Sequence, residues 1–198
     1  MCEDGLGMIL EIIVVNKTSQ PVKWIIILCG LLMSEPPTPR DIYIEQYKDL
    51  AIVEMHRKGI PASIKLAQAI LESQSGTSSF ATKSNNHFGI KCKSSWVGDT
   101  YYHKDDDVDT EGKLIPSCFR SYERVVDSYV DHSNFLSERS YYARLWTLPR
   151  YDYQSWARGL QACGYATDPN YAKKLISIIE KEELYKYDVV SKNDLSMK

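Results

Sequence analysis

The sequence predicts a mainly helical α+β fold, and three observations support this prediction. Apolar residues recur with helical spacing in the first and last thirds of residues 41–188. The middle third instead carries aromatic residues between turn-forming residues, which is typical of a small β-hairpin. With 198 residues, of which 43% are hydrophobic and 25% are charged, the chain has the composition of one ordinary globular domain. We therefore expect a helical body around one core, with a hairpin lobe beside it.

The first 40 residues are predicted to form a targeting segment and a linker, ahead of the domain at 41–188 and a polar tail at 189–198. Lys23 precedes an apolar run, as in a secretory signal peptide, and Pro-Pro-Thr-Pro at 36–39 indicates a linker. The run is too short to span a bilayer comfortably, and a later translation start is also open. We therefore expect an exported protein of the periplasm or cell envelope, with membrane association through this segment as a further option.

Six helical segments are expected in the domain, three on each side of the hairpin. Apolar spacing places them at residues 41–58, 61–73, 77–84, 122–137, 152–163 and 169–184. The expected N-caps are Thr77, Ser121, Asp152 and Asp168, and Pro61 and Pro169 suit first turns, where a missing N–H costs nothing.

The charge and ligand inventory excludes several classes of function. A formal net charge of -2 without Lys/Arg clusters argues against a nucleic-acid partner. The four histidines show no paired spacing and the cysteines form no CxxC, so we expect neither a metal nor a cofactor. The 14 tyrosines and four tryptophans suit a neutral sugar polymer, because aromatic rings stack on sugar faces. We expect the protein to act as a monomer.

Glu72 is the first candidate catalytic residue, because it ends the apolar helical segment just before Gly76 and a polar loop. Burial and the partial negative charge at a helix C-terminus both disfavour an ionised carboxylate, so both raise the pKa of Glu72. A carboxyl group with a raised pKa is the general acid that cleavage of a glycosidic bond requires. The alternative from local sequence is a surface residue at a fraying helix end.

Four sequence blocks resemble the bacterial glucosaminidase family of peptidoglycan hydrolases, which includes the muramidase domain of the flagellar rod protein. The blocks lie at residues 69–73, 85–91, 118–122 and 164–172 and read AILES, NNHFGIK, CFRSY and GYATDPNYA. The resemblance implies a lysozyme-like fold with a groove between the helical body and the hairpin. It also implies a β-N-acetylglucosaminidase that cleaves the β-1,4 bonds of peptidoglycan glycan strands, with Glu72 as general acid.

The resemblance further implies a second catalytic carboxylate on the hairpin, several residues beyond a Trp-x-Gly turn. Trp96 and Gly98 supply that turn, and counting onward favours Asp107, with Asp106 next. The alternative is that this acidic run is a solvated loop. Whether the reaction retains or inverts configuration, or uses the acetamido group of the substrate as nucleophile, remains open.

The other candidate site residues surround these carboxylates in the sequence. The resemblance implies that Tyr165 lines the cleft near the scissile bond, and the alternative is a buried packing tyrosine. The candidates for substrate binding are Ser73, Asn86, His87, Phe88, Trp96 and Tyr101. Asn86, His87 and Phe88 either contact the sugar or hold the loop after Glu72 in place. The competing functions are a lytic transglycosylase, an N-acetylmuramoyl amidase and a non-catalytic wall-binding module.

Cys92 and Cys118 flank the predicted hairpin region. In an oxidising compartment they are expected to close it with a disulfide, which leaves Cys163 as a free, packed thiol. The alternative is that both are reduced and merely packed.

Overall fold

A computed structural model describes residues 35–191, apart from the side chains of residues 105–107. Residues 1–34, which contain the predicted signal sequence, and residues 192–198 of the polar tail therefore lie outside the described residues. Within this range the helices are α1 (Pro39–Lys58), α2 (Ala62–Ser73), α3 (Ser79–Ser84), α4 (Val125–Ser137), α5 (Tyr153–Ala162) and α6 (Tyr171–Lys181). Two strands, β1 (Thr100–Val108) and β2 (Leu114–Arg120), form an antiparallel sheet, and 3₁₀-helices occur at Ser140–Thr147 and Leu184–Tyr187. The mainly helical α+β prediction is confirmed. None of the described helices combines the length and apolar character needed to cross a bilayer.

Helix α2 is the centre of the helical body, and ten of its 12 residues are buried. Helices α1, α5 and α6 and the last 3₁₀-helix all contact it. Its fully buried Ile64 and Leu66 belong to the same core as Leu160 of α5 and Leu175 of α6. Burial of each such side chain contributes about 1.5–3 kcal/mol, so the core holds α2 firmly. A residue at the end of α2 is therefore held in place by a helix that is packed into the core.

The start of α2 is fixed by Asp188, which follows the last 3₁₀-helix. One carboxyl oxygen of Asp188 accepts from the Ser63 amide at 2.8 Å, and the other accepts from the Ser63 hydroxyl at 2.6 Å. A carboxylate at this end satisfies unpaired helix amides and complements the helix dipole. The C-terminal part of the domain thereby clamps the helix that carries Glu72.

The predicted helix starts are right at one position and wrong at three. Asp152 caps α5, since its carboxyl group accepts from the Ser155 amide at 3.0 Å. The cap of helix α3 lies one residue later than expected, because Ser78 rather than Thr77 accepts from the Ala81 amide. At α6, Asp168 accepts from the Asn170 amide at 2.8 Å and so closes a turn before the helix, which begins at Tyr171.

Helix α4 also starts later than predicted, at Val125, and Ser121 is not its cap. The Ser121 amide donates to the Asp99 carbonyl, and the Tyr122 amide donates to the Ser84 carbonyl, both at 2.8 Å. These hydrogen bonds commit the two residues to the connection between the sheet and α3. Hydrogen bonds to distant residues thus prevent these two residues from starting α4, although the local sequence pattern favours a helix there.

The hairpin lobe is regular at its base and irregular towards its tip. Tyr101 pairs with Phe119 and Lys104 with Pro116, but the next pair is Val108 with Leu114. The extra residues of β1 form a bulge across positions 105–107, and bulges of this kind re-aim side chains and are common near active sites. At the base, Phe80 of α3 packs against the rings of Tyr101 and Phe119, with ring centroids 5.9 and 4.8 Å apart.

A disulfide joins Cys92 to Cys118 of β2, with Cα atoms 5.3 Å apart. The Cys92 amide also donates to the Cys118 carbonyl at 2.8 Å. The segment before the hairpin is thereby held against β2. Cys163 is a free thiol, whose sulfur accepts from Arg144 Nε at 3.1 Å and donates to the Tyr141 carbonyl at 3.2 Å.

Replacing both Cys92 and Cys118 by serine is expected to lower the free energy of unfolding by about 3 kcal/mol, because the bond closes a loop of 26 residues. Urea denaturation with and without reductant measures this loss. Reductant should bring the wild type to the stability of the double variant and leave the variant unchanged. Equal wild-type stability under both conditions would contradict a stabilising disulfide.

Candidate active site

Glu72 occupies the last turn of α2 and lines a groove of about 320 Å³. One wall of this groove is the segment from Phe88 to Lys93, which follows α3. The other wall carries Tyr141, Tyr142 and Tyr165. A larger groove of about 460 Å³ lies beside Tyr43 and His87, but no carboxyl group lines it. We therefore place the candidate active site at the groove that contains Glu72.

The pKa of Glu72 is raised from 4.5 to about 7, and burial is the main cause. Hydrogen bonding with the Tyr171 hydroxyl and the positive charge of Lys174 partly oppose this shift. A carboxyl group with this pKa holds a substantial fraction of its proton at neutral pH and still releases it readily. Glu72 thus has the titration behaviour of a general acid. The burial that sequence reasoning assigned to this helix end is the effect that dominates.

Tyr171, at the start of α6, lies behind Glu72 in a buried polar chain. The Gln68 side-chain amide donates to the Tyr171 hydroxyl at 2.9 Å, and this hydroxyl interacts with the Glu72 carboxyl group. Gln68 and Tyr171 are both buried. Sequence reasoning missed the role of Tyr171, although the residue falls within the fourth matching block. It lies two residues after the expected helix start at 169, and local sequence gives no sign that α6 packs against α2.

Replacing Tyr171 by phenylalanine is expected to shift the alkaline limb of the pH profile for kcat/KM upwards by roughly one unit. The hydroxyl favours the ionised form of Glu72, so its loss raises the Glu72 pKa further and keeps the acid protonated to higher pH. Tyr151→Phe, at a side chain that is 73% exposed, is the matched control and should leave the limb in place. An unchanged limb in the Tyr171 variant would show that the hydroxyl does not tune Glu72.

Ser73 lies directly behind Glu72 and has no exposed surface. Its hydroxyl donates to the Ala69 carbonyl at 2.5 Å and accepts from the Gly76 amide at 2.7 Å. These bonds close a tight turn in which Gln74 and Ser75 both adopt left-handed conformations, with φ of 52° and 56°. In this arrangement Ser73 positions Glu72 and has no surface on which a sugar can rest.

Asn86 is fully buried and organises the wall that follows α3. Its side-chain nitrogen donates to the carbonyls of Ile90 and Arg120, at 3.0 and 2.9 Å. Its side-chain oxygen accepts from the amides of Phe88 and Ile90. All four contacts are to backbone groups, so Asn86 shapes this loop. This placement corresponds to the second of the two roles that the sequence left open.

His87 and Phe88 point to different sides of the same loop. His87 is bonded through Nδ1 to the Tyr43 hydroxyl at 2.7 Å, lines the larger groove, and has a pKa lowered to about 4 by burial. Phe88 lines the groove of Glu72 and stacks on His132 with ring centroids 4.0 Å apart. Of the two, only Phe88 borders the candidate active site.

Tyr165 lies in the groove with Glu72 and is half-buried. Its hydroxyl donates to the Phe88 carbonyl at 3.5 Å, and its ring stacks on Tyr171 at 5.5 Å. Burial raises the pKa of Tyr165 well above its usual value, and the nearby charge of Glu72 adds to this. Tyr165 therefore stays a neutral hydroxyl and spans the groove from one wall towards the other.

Trp96 and Tyr101 belong to the hairpin lobe and do not line this groove. The Trp96 indole donates to the Asp99 carbonyl at 3.0 Å, and the Arg120 guanidinium lies over its ring at 4.5 Å. Tyr101 packs on Phe80 at the base of the lobe. The side chains of Asp106 and Asp107 lie outside the described residues, and their backbone belongs to the bulged part of β1.

Part of the groove wall comes from an element that the sequence did not predict. Tyr141 and Tyr142 belong to the 3₁₀-helix at Ser140–Thr147. The adjacent tyrosines were the available signal, but a 3₁₀-helix lacks the longer periodicity by which α-helices are found. Among residues 35–191, no group of three His, Cys, Asp or Glu side chains is placed to hold a metal ion.

Comparison with known proteins gives a consistent assignment. The glucosaminidase family model, described as mannosyl-glycoprotein endo-β-N-acetylglucosaminidase, matches residues 48–184. The exo-glucosaminidase LytG of Bacillus subtilis is 35% identical over 156 residues, which cover 77% of this chain and 55% of LytG. The chain spans about half the length of the curated relatives it matches.

Two solved structures share the fold. The catalytic domain of the autolysin Auto from Listeria monocytogenes gives a TM-score of 0.67 at 28% identity, covering 79% of this chain and 91% of that domain. The glycoside hydrolase domain of FlgJ from Salmonella typhimurium gives 0.58 at 29% identity, covering 76% and 92%. The lysozyme-like architecture expected from the resemblance is therefore confirmed. Since the family model spans α2 with Glu72, the hairpin and the groove walls, the chain belongs to the glucosaminidase family of glycoside hydrolases.

Proposed function

We propose that the protein is an endo-β-N-acetylglucosaminidase that hydrolyses the β-1,4 bonds of peptidoglycan glycan strands. The observation that supports this most strongly is Glu72, a half-buried carboxyl group with a pKa of about 7 in a groove. Family membership supports the same reaction class. A glycan strand is an extended polymer, and an open groove suits it better than an enclosed pocket.

In the proposed reaction, protonated Glu72 donates its proton to the glycosidic oxygen as the bond from that oxygen to the anomeric carbon breaks. The sugar left behind carries developing positive charge, which a carboxylate on the hairpin stabilises. Asp107 is our candidate for this carboxylate, with Asp106 as the next choice. Water then adds to the anomeric carbon and gives up a proton, and the Glu72 carboxylate regains a proton from that water or through solvent, so that Glu72 is again an acid for the next turnover.

The aromatic side chains that border the groove are proposed to hold the sugar rings. Phe88, Tyr141, Tyr142 and Tyr165 present ring faces or edges around Glu72. Stacking on sugar faces provides binding without charge, and the Tyr165 hydroxyl supplies a hydrogen-bonding group at the centre. A monomer remains the proposed working form.

The proposed location is outside the cytoplasmic membrane, where peptidoglycan lies. The relatives include several proteins named peptidoglycan hydrolase FlgJ, which supports an envelope location. Export through the segment before residue 41, and any attachment of that segment to a membrane, remain part of this proposal.

Product analysis after digestion of purified sacculi tests the proposed function. Internal cleavage by an endo-glucosaminidase should give a range of fragment lengths with N-acetylglucosamine at the new reducing ends. Single terminal sugars would indicate the exo mode named for LytG, and anhydro sugars would indicate a lytic transglycosylase. Release of peptides without new reducing ends would indicate an amidase. Binding to sacculi without any product would indicate a wall-binding module.

A further inference from the structure

We propose that Gln68 is a positioning residue for Glu72: its side-chain amide holds the Tyr171 hydroxyl in the direction in which that hydroxyl donates to the Glu72 carboxylate. The inference rests on the proposed function, because it assigns a further residue to the site of that reaction. Gln68 lies one helical turn before Glu72 on α2, and residues four apart share a helix face. Both side chains meet Tyr171 of α6.

Gln68 differs from the other buried polar side chains of α2 in how few hydrogen bonds it makes. Ser63, Lys65 and Ser73 all bond through their side chains to partners within the protein. Gln68 is fully buried, yet among the described residues its Nε2 has one partner, the Tyr171 hydroxyl at 2.9 Å, and its Oε1 has none. An unpaired buried amide oxygen destabilises a fold, so stability alone gives no reason for a glutamine here.

Two other amides near this site show what a structural side-chain amide looks like. Asn86 is bonded at both its nitrogen and its oxygen, always to backbone groups. The Gln161 Nε2 donates to the Pro169 carbonyl at 3.0 Å, and its Oε1 accepts from the Ala172 amide at 2.8 Å. Gln68 bonds to no backbone group and only to a hydroxyl that meets Glu72. Its hydrogen bond therefore serves the site.

The direction of the Tyr171 hydroxyl decides which form of Glu72 it stabilises. Because the Gln68 Nε2 donates to the hydroxyl oxygen, the hydroxyl proton is left to donate to the Glu72 carboxylate. A partner that accepted from Tyr171 would take this proton, and the hydroxyl could then only accept from protonated Glu72. The observed orientation favours the ionised form and so makes Glu72 a stronger acid towards the glycosidic oxygen.

The other charged and titratable groups around Glu72 stay the same when Gln68 is replaced. Those on the described residues are Lys174 of α6 and, on the groove walls, Lys91, Lys93, Tyr141, Tyr142 and Tyr165. The hairpin acids at 105–107, whose side chains lie outside the described residues, are also present in every variant. A difference between a Gln68 variant and the wild type therefore reports the amide itself.

The test replaces Gln68 by methionine, which keeps the length of the side chain but cannot donate to Tyr171. The pKa of Glu72 is measured by ¹³C NMR of its carboxyl group, assigned with Glu72→Gln, and the alkaline limb of kcat/KM is measured in parallel. Both should rise by roughly half a unit, less than the direct loss in Tyr171→Phe, because Gln68 acts through the hydroxyl. Gln46→Met, at an exposed position on α1, should change neither.

The double variant separates positioning from a general disturbance of the site. In the Tyr171→Phe background, Gln68→Met should add no further shift, because the hydroxyl through which the amide acts is gone. The melting temperature of Gln68→Met should not fall below that of the wild type, because the substitution removes the unpaired oxygen. An equal shift in both backgrounds would overturn the proposal, as would a lower melting temperature with no shift at all.

A measurement on the wild type decides the matter if Gln68→Met does not fold. The ¹⁵N and proton shifts of the Gln68 side-chain amide should titrate with the pKa of Glu72, and this response should be largely lost in Tyr171→Phe. A Gln68 amide that does not titrate would overturn the proposal. These NMR titrations need no hydrolysis. Strands left uncut by the wild type would refute the proposed function, and the titrations would still decide the role of Gln68.

Discussion

Replacing Glu72 by glutamine is expected to lower kcat/KM on glycan strands by roughly 10²–10⁴-fold, the usual contribution of a positioned general acid. Glutamine keeps the shape and hydrogen-bonding capacity of the side chain but carries no acidic proton. The fold should be retained, because Ser73 and the buried face of α2 hold this helix end independently of the carboxyl group. Reducing-end release from purified strands measures the loss, and binding of the same strands should stay near the wild-type level.

The same substitution is expected to change stability in a pH-dependent way. The pKa of Glu72 is raised from 4.5 to about 7 in the folded protein. Its contribution to stability is therefore fully present below pH 4.5 and is lost as the pH rises to about 7, where a half-buried carboxylate becomes ionised. Glutamine has no such penalty. Above pH 7 the variant should be more stable than the wild type by up to about 3 kcal/mol, and near pH 4 the difference should disappear.

Glu123→Gln is the matched control, since Glu123 is exposed. It should change neither hydrolysis nor the pH dependence of stability. Wild-type turnover in the Glu72 variant would refute the proposed mechanism. A loss of activity with no pH-dependent gain in stability would mean that Glu72 acts from a solvated position, in conflict with its burial on α2.

The sequence was sufficient to find Glu72 because local patterns carried the necessary information. An almost wholly apolar segment predicts a buried helix, and its final carboxyl group must share that environment. The hairpin could also be predicted from local sequence, since aromatic residues and turn signals alternate within residues 88–120. These are the features on which periodicity and propensity act directly.

Other site features depend on contacts between distant parts of the chain. Tyr171 meets Glu72 only because α6 packs on α2, and Ser121 is diverted from helix capping by a hydrogen bond to Asp99. Ser73 and Asn86 lie in blocks shared with the family, yet both side chains bond to the protein backbone. A motif marks residues that a site requires, and structure is needed to separate those that touch substrate from those that position others.

Asparagine substitutions at residues 105, 106, 107 and 109 are expected to lower activity unequally, and the largest loss identifies the second catalytic carboxylate. Asp107→Asn should lower kcat by roughly 10²–10³-fold if Asp107 faces the developing positive charge, because a neutral amide stabilises that charge poorly. If the bulge turns Asp106 instead of Asp107 towards the developing charge, Asp106→Asn should show this loss of kcat. The bulge makes simple strand alternation an unsafe guide here, since its extra residues break the register between Lys104 and Val108.

Asp109 provides the internal control for this series. Its Oδ1 accepts from the amides of Glu111 and Lys113, both at 2.9 Å, and so closes the hairpin turn. Asparagine retains an oxygen for the same two bonds, so Asp109→Asn should keep nearly full activity. Single-turnover kinetics on purified strands, with strand binding measured in parallel, separates a chemical defect from a binding defect. If all four variants keep full activity, the hairpin does not supply the charge, and the acetamido group of the substrate becomes the nucleophile to test.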